Sequence, residues 1–218
     1  MTPIKTILAA AAIALSLTSV AHAQFGSLGG ALKSVTGGDS SAGGDLVGQQ
    51  DTLVRSYVAA NKDVLTANAK MLQALNMKDA AAQAQQTADA MTEGATKDSL
   101  DAADKAVASS TNAVAAELEK KPLLDANSKV LYAQGLGSLA NGASKYAGLS
   151  KGVQSMSSGL SSNPMMVTKL QSAVSIVQNF PSAMTNVGQT LKKAIAFAQS
   201  SDVPVPKTAA DALAALGS

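Results

Sequence analysis

The sequence lacks most of the side chains on which enzyme active sites depend. It contains no cysteine, no tryptophan and a single histidine, and aromatic residues make up 3% of its 218 residues. The one histidine, His22, lies in an N-terminal segment that we predict is removed. Thiol catalysis, disulfides, histidine-ligated haem and ordinary zinc sites all need histidine or cysteine. We therefore expect a non-enzymatic protein with no catalytic residue, no cofactor and no dedicated metal site.

The first 23 residues have the pattern of a secretory signal peptide. Lys5 precedes an apolar run over residues 7–20, which is shorter than the ~20 residues needed to span a bilayer. Ala21 and Ala23 then form the small-residue A-x-A motif that signal peptidase accepts. We predict cleavage between Ala23 and Gln24, which would place the mature protein in the periplasm or outside the cell.

The remaining chain divides into a glycine- and serine-rich stretch and a helical region. Residues 24–48 contain few side chains that could build a core, so we predict a flexible leader there. Residues 49–218 contain no alternating run of strand length, and their abundant alanine favours helix. The sequence predicts an all-α fold, an antiparallel bundle of about five to seven helices in one domain. The expected helices cover about 49–75, 79–91, 99–120, 123–160, 164–179, 181–200 and a short segment from 208.

The longest predicted helix, 123–160, carries a heptad-like apolar seam in which glycine occupies two positions. Its members recur every three or four residues, which places them on one helical face. They are Leu131, Gly135, Leu139, Gly142, Tyr146, Leu149, Val153, Met156 and Leu160.

Ser150 lies beside this seam in a G-x-S-x-G motif over residues 148–152, the pattern of a hydrolase nucleophile elbow. An elbow serine needs a base, ordinarily histidine, and a strand before it. Neither is expected here, so the seam explains the motif and Ser150 is predicted to have no catalytic role.

Three aspartates and three tyrosines are the other candidates for chemistry. Asp98, Asp101 and Asp104 recur every three residues, but they lack the glycine turn of a calcium loop. We interpret them as a solvated helix start in which Asp101 pairs with Lys105 at i+4. The tyrosines could line a cavity, but we expect them at the margin of the core with hydrated hydroxyls. They are Tyr57, Tyr132 and Tyr146.

Charge is small overall but unevenly distributed. The net charge of +2 at pH 7 argues against a nucleic-acid partner. No acidic residue occurs between Asp125 and Asp202, whereas lysines do. The simplest interpretation is a solvated helical surface, and the alternative is contact with an anionic membrane surface. The lysines proposed for that contact are Lys145, Lys151, Lys169, Lys192 and Lys193.

Together these patterns predict a periplasmic or secreted helical-bundle protein that binds rather than catalyses. We expect a partner protein, or an apolar or envelope ligand, in a groove between helices. The candidate contacts are the seam residues Gly135, Leu139, Gly142, Tyr146 and Leu149. The alternative is a structural, envelope-associated protein that makes peripheral membrane contact through the five lysines.

Protein recovered from the periplasm or the medium should begin at Gln24 and therefore lack His22, as intact-mass spectrometry would show. Replacing Ala23 by Tyr should block cleavage, because signal peptidase accepts small side chains at this position. The uncut form of this variant provides the mass control. A wild-type mature species that retains His22 would contradict both the cleavage site and the argument from missing histidine.

Overall fold

The computed structural model describes residues 42–217, so the predicted signal peptide and the leader up to residue 41 lie outside the described residues. Within 42–217 the chain forms α-helices and no strand, which confirms the predicted all-α bundle. The helices are α1 (Ala42–Ala74), α2 (Lys78–Ala90), α3 (Lys97–Glu119), α4 (Ala126–Ser162), α5 (Gln171–Ser200) and α6 (Lys207–Leu216), with a 3-10 turn (Pro164–Met166) before α5.

The four long helices form the bundle. Helices α1 and α5 each pack against both α3 and α4, while α2 lies against α1 and α3, and α6 against α4 and α5. Gly135 of α4 lies near Met71 of α1, whereas Gly159 lies near Leu46, so α1 and α4 are antiparallel.

Glycines allow α1 and α4 to approach closely. A Cβ atom on Gly142 would lie 2.7 Å from Val64 Cγ2 and 3.2 Å from the Val64 backbone nitrogen. A Cβ atom on Gly135 would lie 2.7 Å from Met71 Cγ. The predicted seam is buried along its length except for Leu131, which is half-buried. The seam thus packs against α1, and its two glycines set the spacing between the helices.

Helix α1 begins at Ala42 rather than at residue 49, so the end of the predicted leader is helical. Leu46 in this extension is buried and lies against Gly159 of α4. Although glycine-rich sequence disfavours a helix, burial of a leucine side chain contributes about 1.5 to 3 kcal/mol. The tertiary contact therefore extends the helix beyond the boundary that composition predicts.

The helix boundary predicted at Pro164 is wrong. Pro164 opens only the 3-10 turn, and the next helix begins at Gln171. The Asn163 amide nitrogen donates to the Gly159 carbonyl oxygen at 3.0 Å. Its side chain therefore satisfies the end of α4 and leaves the following turn without a cap.

The boundary predicted at Pro181 is also wrong, because Pro181 lies inside the continuous helix α5. A proline in a helix interior costs about 3 kcal/mol. Phe180 and Val187 on either side of it are buried in the core. Both halves of α5 must therefore stay aligned to keep their apolar stripe in contact with α3 and α4, and this packing outweighs the local cost.

Gly142→Ala should destabilise the protein by about 1 to 3 kcal/mol, because the new methyl group overpacks the contact with Val64. Gly148→Ala is the matched control on the same helix, since a Cβ atom there would have no atom within 4 Å. That variant should gain up to about 1 kcal/mol, because alanine favours helix over glycine. Denaturant melts measure both changes, and equal midpoints for the two variants would contradict the close α1–α4 packing.

Candidate functional site

One carboxylate connects all four long helices. Asp104 of α3 accepts hydrogen bonds through Oδ1 from the Tyr57 hydroxyl at 2.8 Å and from Asn61 Nδ2 at 3.0 Å, both on α1. Its Oδ2 accepts from Asn179 Nδ2 of α5 at 3.0 Å. Asn61 in turn accepts a hydrogen bond from the hydroxyl of Tyr146 on α4. We call these five residues the Asp104 network.

The prediction that the tyrosines lie at the core margin is wrong. Tyr57, Tyr132 and Tyr146 are all 0% exposed. Each hydroxyl donates to another helix, as Tyr132 does to the Ala194 carbonyl oxygen at 3.2 Å, so none of them needs water. Burial raises the pKa of all three hydroxyls above the ordinary value of 10.0. They are therefore neutral hydrogen-bond donors at physiological pH.

A second carboxylate, Asp101, lies one turn before Asp104 and nearer to solvent. Its Oδ1 accepts from Ser175 Oγ at 2.5 Å and from Asn179 Nδ2 at 3.3 Å, both on α5. Its Oδ2 lies 2.5 Å from Lys97 Nζ. The predicted pair with Lys105 is therefore replaced by a pair with Lys97, because the hydrogen bonds from α5 fix the orientation of the carboxylate.

The solvated interpretation of the three aspartates is correct for Asp98 and wrong for Asp101 and Asp104. Asp98 is exposed, whereas the other two are partly buried against α5. Each step of three residues rotates the side chain by about 60° around a helix. Two such steps therefore move the carboxylate from the solvent side of α3 to the side that faces α1 and α5.

The pKa values of the two carboxylates are shifted in opposite directions from the ordinary value. Burial raises the pKa of Asp104 above its ordinary value of 3.8, and the hydrogen bonds from Tyr57, Asn61 and Asn179 oppose part of this increase. Hydrogen bonds from Lys97 and Ser175 lower the pKa of Asp101. Asp101 is thus the readily ionised group, while the charge of Asp104 depends on its three donors.

A cleft of about 410 Å³ opens between α3 and α5 beside these carboxylates. Most of the side chains that line it are polar: Lys97, Asp101, Asp104, Lys105, Gln178, Asn179, Ser182 and Asn186. Within residues 42–217, the side chains of Gln178, Ser182 and Asn186 make no hydrogen bond to another protein group. The cleft has the size of a small-molecule site. It contains carboxylates that hydrogen bonds hold in place and polar side chains that have no hydrogen-bond partner in the described part of the protein.

The predicted seam does not line an open groove. Gly135, Leu139, Gly142, Tyr146 and Leu149 are buried, and the two glycines contact α1. The groove that we expected along this face of α4 is filled by the protein's own first helix. Of these five residues, only Tyr146 belongs to the Asp104 network.

Ser150 lies in the middle of α4, where no strand-to-helix turn exists. Its hydroxyl lies 3.8 Å from the Met184 sulfur atom of α5. The geometry of a nucleophile elbow is therefore missing at this serine, and its side chain packs at a helix–helix contact.

The lysines proposed for an anionic surface fall into two groups. Lys145 pairs with Asp63 at 2.8 Å, and Lys193 pairs with Glu119 at 2.8 Å. Lys151, Lys169 and Lys192 are exposed and, in the described part of the chain, have no ion-pair partner. Of the five lysines, these three have unpaired charges within residues 42–217.

Two other features are absent from the described residues. No cluster of three or more histidine, cysteine, aspartate or glutamate side chains is placed to hold a metal ion there. Nor does any helix within residues 42–217 have the length and apolarity needed to cross a membrane.

Sequence reasoning missed Asn61, Asn179 and Ser175. Asn61 had a detectable signal, since it follows Tyr57 by four residues and precedes Val64 by three, which places a polar side chain inside the apolar stripe of α1. A buried polar residue needs a partner. Asn68 repeats this pattern further along α1 and donates to Ser110 Oγ at 2.9 Å.

Comparison with known proteins adds no family to this description. No protein-family model matches the chain, and no significant match was found among curated proteins or solved structures. Function must therefore be inferred from the residues of the cleft and of the Asp104 network.

Asp104→Asn and Asp101→Asn should affect stability with opposite pH dependence. Because the folded-state pKa of Asp104 is raised, its contribution to stability falls as pH rises from 3.8 through the folded-state value. An uncharged amide at this position avoids that loss, so the Asp104→Asn variant should gain stability relative to wild type between about pH 3 and about pH 7. The lowered pKa of Asp101 gives stability above 3.8 that is lost as pH falls, so the cost of Asp101→Asn should be largest near neutral pH.

Urea melts of both variants and wild type at the two pH values measure these differences. Asp98→Asn, at an exposed position on the same helix, is the control for loss of one carboxylate from α3. Parallel pH profiles for the Asp101→Asn and Asp104→Asn variants would contradict the opposite environments of the two carboxylates.

Proposed function

We propose that this is a non-enzymatic binding protein of the periplasm or extracellular space, and that the cleft between α3 and α5 binds a small zwitterionic ligand. The observation that carries the proposal is the cleft itself, about 410 Å³ beside two oriented carboxylates. This ligand class differs from the apolar one that the sequence suggested, because eight of the eleven side chains that line the cleft are polar or charged.

The fixed carboxylates support an ammonium group as one half of the ligand. Asp104 accepts three hydrogen bonds, and Asp101 accepts three from Ser175, Asn179 and Lys97. A carboxylate has about four acceptor sites, so each retains capacity for a further donor. Because both groups are already oriented, a ligand would not have to pay for ordering them.

The lysines of the cleft support an anionic group as the other half. Lys97 is already paired with Asp101, while Lys105 is exposed and, within the described residues, has no ion-pair partner. Two carboxylates and two ammonium groups line the cleft in total. A ligand carrying one charge of each sign complements this lining better than a purely cationic or purely anionic one.

The absence of catalytic groups from the cleft supports binding over catalysis. Residues 24–218 contain no histidine or cysteine, and the Ser175 hydroxyl donates to Asp101, a carboxylate that also accepts from Asn179 and Lys97. The raised pKa of Asp104 follows from burial in a network that connects the helices, which is a common structural cause of such shifts.

Peripheral membrane association remains the second candidate. The exposed lysines Lys151, Lys169 and Lys192 support it, as does the exposure of Met165 (87%) in the turn near Lys169. An apolar side chain beside a cation is typical of a peripheral membrane contact. Lys145 and Lys193 contribute less, since their charges are paired.

Thermal melting with named probes tests the proposal. β-Alanine and γ-aminobutyrate, each with one ammonium and one carboxylate group, represent zwitterionic ligands, spermidine a cation, glutarate an anion and oleate an apolar ligand. At a concentration of about 100 times Kd, a bound ligand stabilises the fold by about 2.7 kcal/mol, which raises Tm by several degrees. We expect this increase with at least one zwitterion and with neither glutarate nor oleate.

Ser182→Trp should abolish the increase in Tm, because the indole fills the cleft. Thr185→Trp is the matched control: Thr185 is exposed on the same helix and does not line the cleft, so this variant should respond as wild type does. An increase that survives Ser182→Trp would contradict binding in the cleft. Sedimentation with phosphatidylglycerol vesicles, without response to any small probe, would favour the membrane alternative.

A further inference from the structure

We propose that two copies of this chain associate through the end of the bundle where α4 begins and the segment after α5 ends. A hollow of about 590 Å³ lies there and shares no lining residue with the α3–α5 cleft. Ala126, Val130, Ala133 and Pro204 form its apolar lining, and Lys129 and Asp202 are the charged residues at its edge. We call these six residues together with Leu123 the α4-start surface.

Leu123 is the projecting part of this surface. It precedes α4 by three positions and is fully exposed, at 101% of its reference area. Val130, one helical turn beyond Ala126, is 59% exposed. A single exposed leucine is unremarkable in a soluble protein. Here, however, the exposed leucine lies three positions before Ala126, a residue of the apolar hollow, so the start of α4 carries both a projection and a recess.

The charges of the surface are self-complementary. Lys129 and Asp202 both line the hollow, and within residues 42–217 neither has an ion-pair partner. In a two-fold contact the same patch of both copies meets. Residue i of one copy then faces residue j of the other, and residue j of the first copy faces residue i of the second. Lys129 of each copy would then face Asp202 of the other, while each Leu123 would enter the opposite hollow.

A second copy fits this surface better than a lipid bilayer does. An anionic bilayer would attract Lys129 but would repel Asp202 at the same edge. A two-fold contact satisfies both charges and covers both apolar features at once. The charge pattern therefore points to self-association.

The surface is also held in place by the fold. The carboxylate of Asp125 caps α4 by accepting from the Ser128 backbone nitrogen at 2.7 Å, which fixes the helix start next to Leu123. Val203 is buried, and its backbone nitrogen donates to the Ala198 carbonyl oxygen at 2.8 Å, which anchors the segment carrying Asp202 and Pro204. A preorganised surface loses less entropy on association.

Sedimentation equilibrium of the purified protein from about 1 to about 200 µM tests the proposal directly, since a weak dimer falls in this range of Kd. We expect a dimer for wild type and an increase in Kd of at least about tenfold for Leu123→Asp, because its charge would enter the apolar hollow. Met165→Asp is the matched control, an exposed apolar residue at the other end of the bundle, and should leave Kd unchanged.

A charge exchange separates this arrangement from unspecific association. Lys129→Asp and Asp202→Lys should each raise Kd, whereas the double variant should return it to within about threefold of wild type, because the pair is restored with reversed signs. Lysine is compatible with the positive φ of 53° at position 202, since Lys121 already has a φ of 50°. Circular dichroism confirms that each variant is folded.

A wild-type protein that stays monomeric to the highest concentration would overturn the proposal. A dimer that is weakened by Met165→Asp but not by Leu123→Asp would also overturn it. Failure of the double charge variant to recover would refute the Lys129–Asp202 pairing. None of these results affects the zwitterion proposal, because the α4-start surface shares no residue with the α3–α5 cleft.

Discussion

The alignment of the bundle depends on the carboxylate of Asp104. A partly buried charge is costly unless it is hydrogen-bonded, and the three donors to Asp104 come from α1 and α5. A shift of one helix by a turn would remove at least one donor while leaving the charge buried. Alanine-rich helix faces are nearly uniform and would tolerate such a shift. The polar contact therefore gives the bundle a single register that apolar burial would not specify.

The glycine seam and the Asp104 network depend on each other. Gly142 brings α4 close to Val64 of α1, and one turn further along α4 the hydroxyl of Tyr146 reaches Asn61. A wider spacing would break this hydrogen bond and leave a buried Asn61 oxygen without a donor. Close packing thus places the tyrosine, and the tyrosine completes the link between α4 and the carboxylate. The small residues set the spacing between α1 and α4, and the polar residues fix how the two helices are aligned.

The proposed binding site uses the outer side of this same structure. Asn179 donates to both Asp101 and Asp104, so the groups that hold α3 against α5 also orient the carboxylates beside the cleft. A site built on two packed helices is more rigid than one built on loops. On this side of the bundle, the same side chains therefore stabilise the fold and form the proposed site. The α4-start surface, in contrast, depends on the cap of α4 and on the anchored segment after α5.

The sequence by itself determined the helical class and the seam of α4, because helical periodicity is a local property that needs no knowledge of neighbours. It did not determine the site. Asp104 meets Asn61 and Asn179 across separations of 43 and 75 residues, and no local pattern encodes which helices become adjacent. The continuity of α5 through Pro181 and the burial of the three tyrosines have the same origin. In each case the energy of a contact with another helix outweighed a local preference, and only the tertiary structure decides which contacts exist.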